Sequence, residues 1–187
     1  EGPADEAVVR SLLTHVGAVP GVVYGLRGKQ HLRHRVHGYN RAAVHSPWLV
    51  VVDLDNDAEC APALRSLWLP APAPTMCFRV AVRAVESWLL ADREHAAMFL
   101  GVPVSAIPYD PDSLADPKAA MVGLARRSRR SEIREDIVPR AGSGRPVGPA
   151  YTSRLIEFVS TAQARWRPES ACQHSESLRR CVDSLEG

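Results

Sequence analysis

The sequence predicts an α/β fold, a mostly parallel sheet flanked by helices, with a mainly helical C-terminal portion. Three observations lead there. Trp48-Leu49-Val50-Val51-Val52 is a continuous apolar run of the kind presented by a strand buried on both faces. Met76 to Val82 repeats the strand signal with β-branched and aromatic residues after an intervening helical stretch, and such alternation builds parallel sheets. After Gly101 the strand signal fades and helical patterns take over. A length of 187 residues and a mass of 20.4 kDa suit one domain with a substantial core. Within it, residues 1–100 form the α/β core and 101–187 a helical extension of the same domain.

The elements follow in order. From Asp5 to Val16, Val8, Val9, Leu12, Leu13 and Val16 recur at helical spacing, and Asp5 and Glu6 occupy the first turn, where the helix dipole favours acids. Gly17 and Pro20-Gly21 end that helix, Val22-Val23-Tyr24 is a short strand candidate, and Gly28 to Val44 forms a second helix rich in His and Arg. The Trp48 strand stops at Asp53-Leu54-Asp55-Asn56-Asp57, so carboxylates gather at its carboxyl end. Ala61 to Leu69 is a helix, Pro70 to Pro74 a stiff connector, and Met76 to Val82 the next strand. A helix opening at Val85 continues toward Leu100. Pro103 to Pro117 is loop-like, Lys118 to Arg130, Glu132 to Val138 and Tyr151 to Ala164 are helical, and Gly142 to Pro149 is a flexible loop.

Composition excludes several classes. With 45% hydrophobic and 24% charged residues the chain is neither disordered nor membrane-spanning, and no apolar run approaches the roughly 18 residues a span needs. Cys60, Cys77, Cys172 and Cys181 form no C-x-x-C pair and read as reduced core thiols. No signal or transit peptide is read at the start, which makes cytoplasm the expected compartment. A net charge of +2 says little about partners. Of 23 basic residues only Lys29 and Lys118 are lysine, so arginine abundance reflects coding bias as much as function.

Asp53-Leu54-Asp55 sets two carboxylates on one side at period two, where a buried strand opens to solvent, and Asp57 adds a third acid. Oxygen-rich sites of this kind prefer Mg²⁺ or Mn²⁺. The alternative is a polar turn capping the helix near Ala61. A calcium loop of the D-x-[DN]-x-[DN]-G type fails on Ala58 and Leu64. A phosphatase of the haloacid-dehalogenase type also places D-x-D after a hydrophobic strand, but has Thr or Val where Asp57 stands.

Glu1-Gly2-Pro3-Ala4-Asp5 followed by Asp53-Leu54-Asp55 resembles the two-part signature of the TOPRIM nuclease and topoisomerase-primase fold, a glutamate in an E-G-x-x-[DE] turn and a later D-x-D. The chain is further similar to a TOPRIM-like bacterial family known as domain of unknown function 4276. That likeness rests on both elements together with Val82 to Asp92, Asp116-Pro117-Lys118 and Val147 to Tyr151. In the full pattern a first strand precedes the glutamate, so the resemblance implies that this sequence is truncated or that its numbering begins late. The resemblance implies a TOPRIM-like, Rossmann-like sheet and a metal-dependent nuclease-like site, often beside an ATPase partner in phage defence.

On that resemblance Asp53 and Asp55 hold one Mg²⁺ or Mn²⁺, Glu1 and Asp5 help hold a second or activate water, and Asp57 and Glu86 are further metal candidates. The catalytic set is Glu1, Asp53, Asp55 and Lys118, with Lys118 neutralising the scissile phosphate. For Glu86 the alternative is a surface helix acid, and for Lys118 an ordinary exposed lysine. Arg126, Arg127, Arg129 and Arg130, extended by Arg134 and Arg145, form the densest positive stretch and suit a phosphate backbone, DNA first among the candidates; the alternative is a solvated helix face. His31, His34 and His37 recur every three residues and favour a solvated or nucleic-acid-facing helix over a zinc site. Tyr151 lacks the context of a covalent nucleophile. The activity expected is cleavage or nicking of nucleic-acid phosphodiesters, with an ATPase partner and self-association as candidate assemblies. The rival readings are a non-catalytic subunit that binds an ATPase or nucleic acid, and a small Mg²⁺-dependent phosphatase.

Overall fold

A computed structural model describes residues 1–25, 27–161 and 165–187. The chain opens with helix α1 (Pro3–His15), whose first turn carries Pro3, Asp5 and Glu6 and buries Val8 and Leu12. Proline is at home there because the first turn has no use for its missing N–H. Helix α2 (Lys29–Ala42) buries Leu32 and Val36, one turn apart. Strand β1 (Trp48–Asp53), helix α3 (Ala61–Trp68) and strand β2 (Met76–Ala81) follow. The strands pair in parallel, with Trp48 opposite Met76 and Asp53 opposite Ala81. A parallel pair needs a crossover, and α3 supplies it.

The strands are covered on both faces, as the unbroken apolar run of β1 requires, although Arg79 interrupts the run of β2. Val50, Val52, Phe78 and Val80 pack with Leu32 and Val36 of α2 and Leu64 and Trp68 of α3. Val51 and Ala81 belong to the larger core on the opposite side. The segment Val22-Val23-Tyr24, expected as a strand, is irregular, with Val22 and Tyr24 well exposed. Three residues held between Gly21 and a left-handed Gly25 bury too little to hold a sheet edge. Among the described residues the sheet is therefore β1 and β2 alone.

The helix expected from Val85 to Leu100 is two helices, α4 (Val85–Ala91) and α5 (Arg93–Leu100). Asp92 breaks it with φ −80° and ψ 73°. Its fully buried carboxylate accepts the Arg167 N–H at 2.7 Å and meets His95 Nδ1 at 2.8 Å, so the break anchors the C-terminal region. Next come α6 (Pro117–Arg126), capped by Asp116 on the Ala119 N–H, then α7 (Ser131–Ile137) and α8 (Tyr151–Ser160). The expected extension of α8 over 162–164 lies outside the described residues. Two short helices close the chain, α9 (Pro168–Ala171) and α10 (Glu176–Glu186). The larger core draws residues from α1 and from α4 through α10, including Leu12, Trp88, Leu124, Phe158 and Val182. All four cysteines are free, but only Cys181 is buried and Cys60 is exposed, so the expectation of core thiols holds in part. No helix among the described residues is long and apolar enough to cross a membrane.

Candidate metal centre

The carboxyl end of β1 is where the chain gathers its acids. Asp53, the last residue of the strand, is 9% exposed. Its N–H donates to Glu1 Oε1 at 3.1 Å, and its own Oδ1 accepts the Val85 N–H at 3.0 Å where α4 begins. Glu1 reaches that position from the extended backbone before α1, where Gly2 at the N-cap has φ −137° and ψ −179° and its N–H bonds Asp5 Oδ2 at 2.6 Å. Beyond Asp53 the chain stays tied to the β2 side, with Leu54 N–H on Ala81 O and Asp55 N–H on Arg83 O. Asp55 then takes φ 47°, a left-handed conformation that aspartate tolerates better than most residues. A turn, not strand alternation, therefore aims its carboxylate. Glu1, Asp53 and Asp55 offer oxygens that all lie within 4.8 Å of one another.

Three hard oxygen donors at that spacing fit one divalent cation, since opposite ligands about 2.1 Å from Mg²⁺ stand roughly 4 Å apart. The electrostatics point the same way. Burial, with the charges of Asp5, Glu1, Glu86 and Asp55, pushes the Asp53 carboxyl up to about 8. Glu1 is raised by burial, against the pull of the Asp53 N–H and Lys29. Without a cation the cluster resists full ionisation.

A second ring surrounds these three. Glu86, at 3% exposed, is a buried acid and not a surface one. Its Oε1 accepts the Tyr151 hydroxyl at 3.0 Å and lies 3.8 Å from Lys118 Nζ, while Oε2 is buried with no hydrogen-bond partner. Burial raises the Glu86 carboxyl, opposed by Lys118 and Tyr151. Tyr151 is itself raised, by burial and then by Glu86, which makes it a proton donor to Glu86 and a poor nucleophile. Lys29 Nζ sits 2.8 Å from Asp55 Oδ2 and 2.8 Å from Asp57 Oδ2. Burial disfavours the charge on both lysines, yet the surrounding carboxylates outweigh it and raise both.

Three expected ligands fall outside the close group. Asp5, Asp57 and Glu86 are not among the oxygens that lie within 4.8 Å of one another; Asp57, like Asp55, pairs with Lys29, Asp5 accepts the Gly2 N–H, and Glu86 meets Tyr151 and Lys118. Arg126, Arg127, Arg129, Arg130, Arg134 and Arg145 are all exposed. They begin at the far end of α6, about 12 Å of helix beyond Lys118. Arg134 and Arg130 are partly committed to backbone carbonyls of Ser128 and Phe99. Arg145 lines a cleft of about 410 Å³ with Arg140, Ser143, Val147 and Pro149. His34 and His37 are exposed and His31 half-buried, as a solvated helix face requires. Sequence reasoning missed Lys29 and the Tyr151–Glu86 bond. The signal for Lys29 was its rarity, because the only two lysines in the chain both stand against this cluster. No protein-family model, curated protein or solved structure matches the chain.

Proposed function

We propose that this chain is a metal-dependent phosphodiesterase that cleaves or nicks nucleic acid, with Glu1, Asp53 and Asp55 holding Mg²⁺ or Mn²⁺ in a TOPRIM-like arrangement. The observation that carries the reading is the meeting of Glu1, from the extended backbone before α1, with Asp53 and Asp55 at the end of β1, 52 residues away in sequence from Glu1 in the case of Asp53. When bound, the cation supplies positive charge for the attacking and leaving oxygens of an in-line displacement. The chain's own residues do the rest. Asp53 and Glu1 fix each other's positions through the Asp53 N–H. The Lys118 ammonium, half-exposed beside Glu86, is placed to neutralise a phosphate oxygen approaching the cluster. Tyr151 keeps Glu86 oriented by donating to Oε1. The exposed arginines from Arg126 to Arg145 offer backbone contacts that carry no sequence information. An ATPase partner in phage defence belongs to the same proposal, as the class of protein that would control access to the site.

The test is cleavage of supercoiled plasmid and labelled single strands in Mg²⁺, Mn²⁺ or EDTA, comparing wild type with Asp53→Ala/Asp55→Ala. Cutting that needs metal and is lost in the folded variant is the expected result. Absence of cutting by well-folded protein in every metal overturns the reading and favours a non-catalytic subunit. Turnover of a phosphomonoester with nucleic acid left intact favours a phosphatase.

A further inference from the structure

We propose that the face made by α2 and the aromatic group Tyr24, Tyr39 and Trp48 binds a single strand of nucleic acid, with bases stacking on the rings and phosphates lying on the basic groups of α2. The proposal takes from the preceding subsection the expectation of a nucleic-acid ligand and adds where and in what form it binds. Tyr24, Tyr39 and Trp48 form a triangle of rings, with Trp48 5.4 Å from Tyr24 and 5.1 Å from Tyr39 at interplanar angles of 27° and 15°, and the two tyrosines 6.2 Å apart. Tyr39 and Trp48 are half-buried against the smaller core, and Tyr24 is the open member of the group. Tyr24 is 57% exposed, and Val22 beside it is 78% exposed. Open aromatic faces hold unstacked bases of any identity, which a duplex cannot offer.

Charge complementarity selects the occupant. No aspartate or glutamate occurs between Glu6 and Asp53, a stretch that carries six basic residues and five histidines. Arg27, Arg35 and Arg41 are exposed, and among the described residues none of them has a carboxylate partner. Arg35 lies one helical turn before Tyr39, on the same side of α2. An apolar protein partner would have no use for a positive surface without acids, whereas a phosphate backbone does.

Position links this face to the carboxylates. Lys29, at the start of α2, contacts Asp55, and Tyr39 is ten residues on, about 15 Å of helix. Trp48 and Asp53 are the two ends of β1, about 16 Å of strand. A strand stacked on the rings therefore reaches the acids within about four or five nucleotides at ~3.4 Å each.

The test uses the full chain in EDTA, so that binding is read without cleavage. Labelled 12-mers of dT and of rU, and a 12-bp duplex, are titrated by anisotropy and by intrinsic fluorescence, where contact quenching is read at Trp48 because Trp68, Trp88 and Trp166 are buried away from a bound strand. The single strands are expected to bind and to quench Trp48, and the two sugars tell DNA from RNA. Tyr24→Ala is expected to weaken binding roughly tenfold, the contribution of one stacked base. Arg35→Ala/Arg41→Ala is expected to reduce the slope of log K against log salt by about 1.4. Both changes are at exposed positions, and circular dichroism checks the fold. Wild-type affinity in both variants, quenching by duplex as strong as by single strand, or absence of nucleic-acid binding overturns the proposal. Binding in EDTA with no cleavage in any metal would leave this face assigned and overturn the nuclease reading instead.

Discussion

Asp53→Asn should make the metal-free protein more stable at pH 8 than the wild type, while removing its response to metal. In the fold the Asp53 carboxyl is pushed from 3.8 to about 8, chiefly by burial and then by Asp5, Glu1, Glu86 and Asp55. In the unfolded chain it ionises near its ordinary value. Below about pH 4 it is protonated in both states and contributes no pH dependence. As pH rises the unfolded chain loses its proton first, so the carboxyl lowers stability progressively from about pH 4 until it ionises in the fold near pH 8. Between pH 5 and pH 8 that linkage amounts to roughly 4 kcal/mol, about 1.4 for each unit over which only the unfolded form is charged. For a chain of this size such a change corresponds to about 8–16 °C in melting temperature. Asparagine cannot ionise, and its amide oxygen can still accept the Val85 N–H. The neighbours Glu1, Asp5, Asp55, Glu86, Lys29 and Lys118 remain in both proteins, so the informative quantity is the gap between the two melting curves. Thermal melts in EDTA at pH 5, 6, 7 and 8 should show a gap that widens with pH. Added Mn²⁺ at pH 8 should close it by raising the wild type alone. A gap that is constant across pH, or a variant less stable than wild type at pH 8, refutes the account of Asp53 as a buried acid waiting for a cation.

Lys29→Met should tighten Mn²⁺ binding in calorimetric titration by roughly tenfold, since a unit charge about 5 Å from a divalent ion opposes it by ~1.7 kcal/mol even in a water-like dielectric; weaker binding would show that Lys29 organises the ligands. Gly148→Ala should lower stability by roughly 2 kcal/mol in urea melts, because a Cβ there would stand 2.3 Å from Asp136 O and 2.6 Å from Ile137 C, both backbone atoms that cannot swing aside. A neutral result would mean that the loop before Tyr151 does not need its close seat on α7. A thiol reagent at pH 8 should modify exposed Cys60 quickly and Cys181 only after unfolding, because burial pushes the latter up to about 12. Cys60→Ser should then abolish the fast phase, and its persistence would place the reactive thiol elsewhere.

The strands were legible because nothing competes with their signal. Five apolar residues in a row at Trp48–Val52 can be satisfied only by burial on both faces, and α2, α3 and the larger core provide it. Elements set by a single polar contact were not legible. The break at Asp92 looks like an ordinary helical position until Arg167, 75 residues later, supplies the N–H its carboxylate holds. The seating of α10 depends likewise on Ser177, whose hydroxyl accepts the Trp88 indole N–H at 2.7 Å. Conversely, Val22-Val23-Tyr24 has strand composition but no adjacent strand edge, and β propensity is largely a statement about neighbours.

The site divides along the same line. Asp53 and Asp55 could be read together because a strand end is a local feature, visible within five residues, whereas Glu1 joined them only through the resemblance of Glu1-Gly2-Pro3-Ala4-Asp5 to the first TOPRIM element. What completes the cluster is long-range. Burying Glu86 requires a donor, and Tyr151 and Lys118 come to it from two helices whose starts are fixed separately, by Asp116 and by the seat of Gly148 against α7. Holding Asp55 and Asp57 together requires a cation, and Lys29 comes from the opposite side of the sheet. The two lysines thus answer one electrostatic problem from two faces, at the outer acids where an ammonium can stay partly hydrated. They leave the innermost acid, Asp53, with no ammonium in contact and with a carboxyl that keeps its proton near neutrality. That residual demand is concentrated on the atom set closest to Glu1, which is where the proposed divalent ion would take the place of a proton.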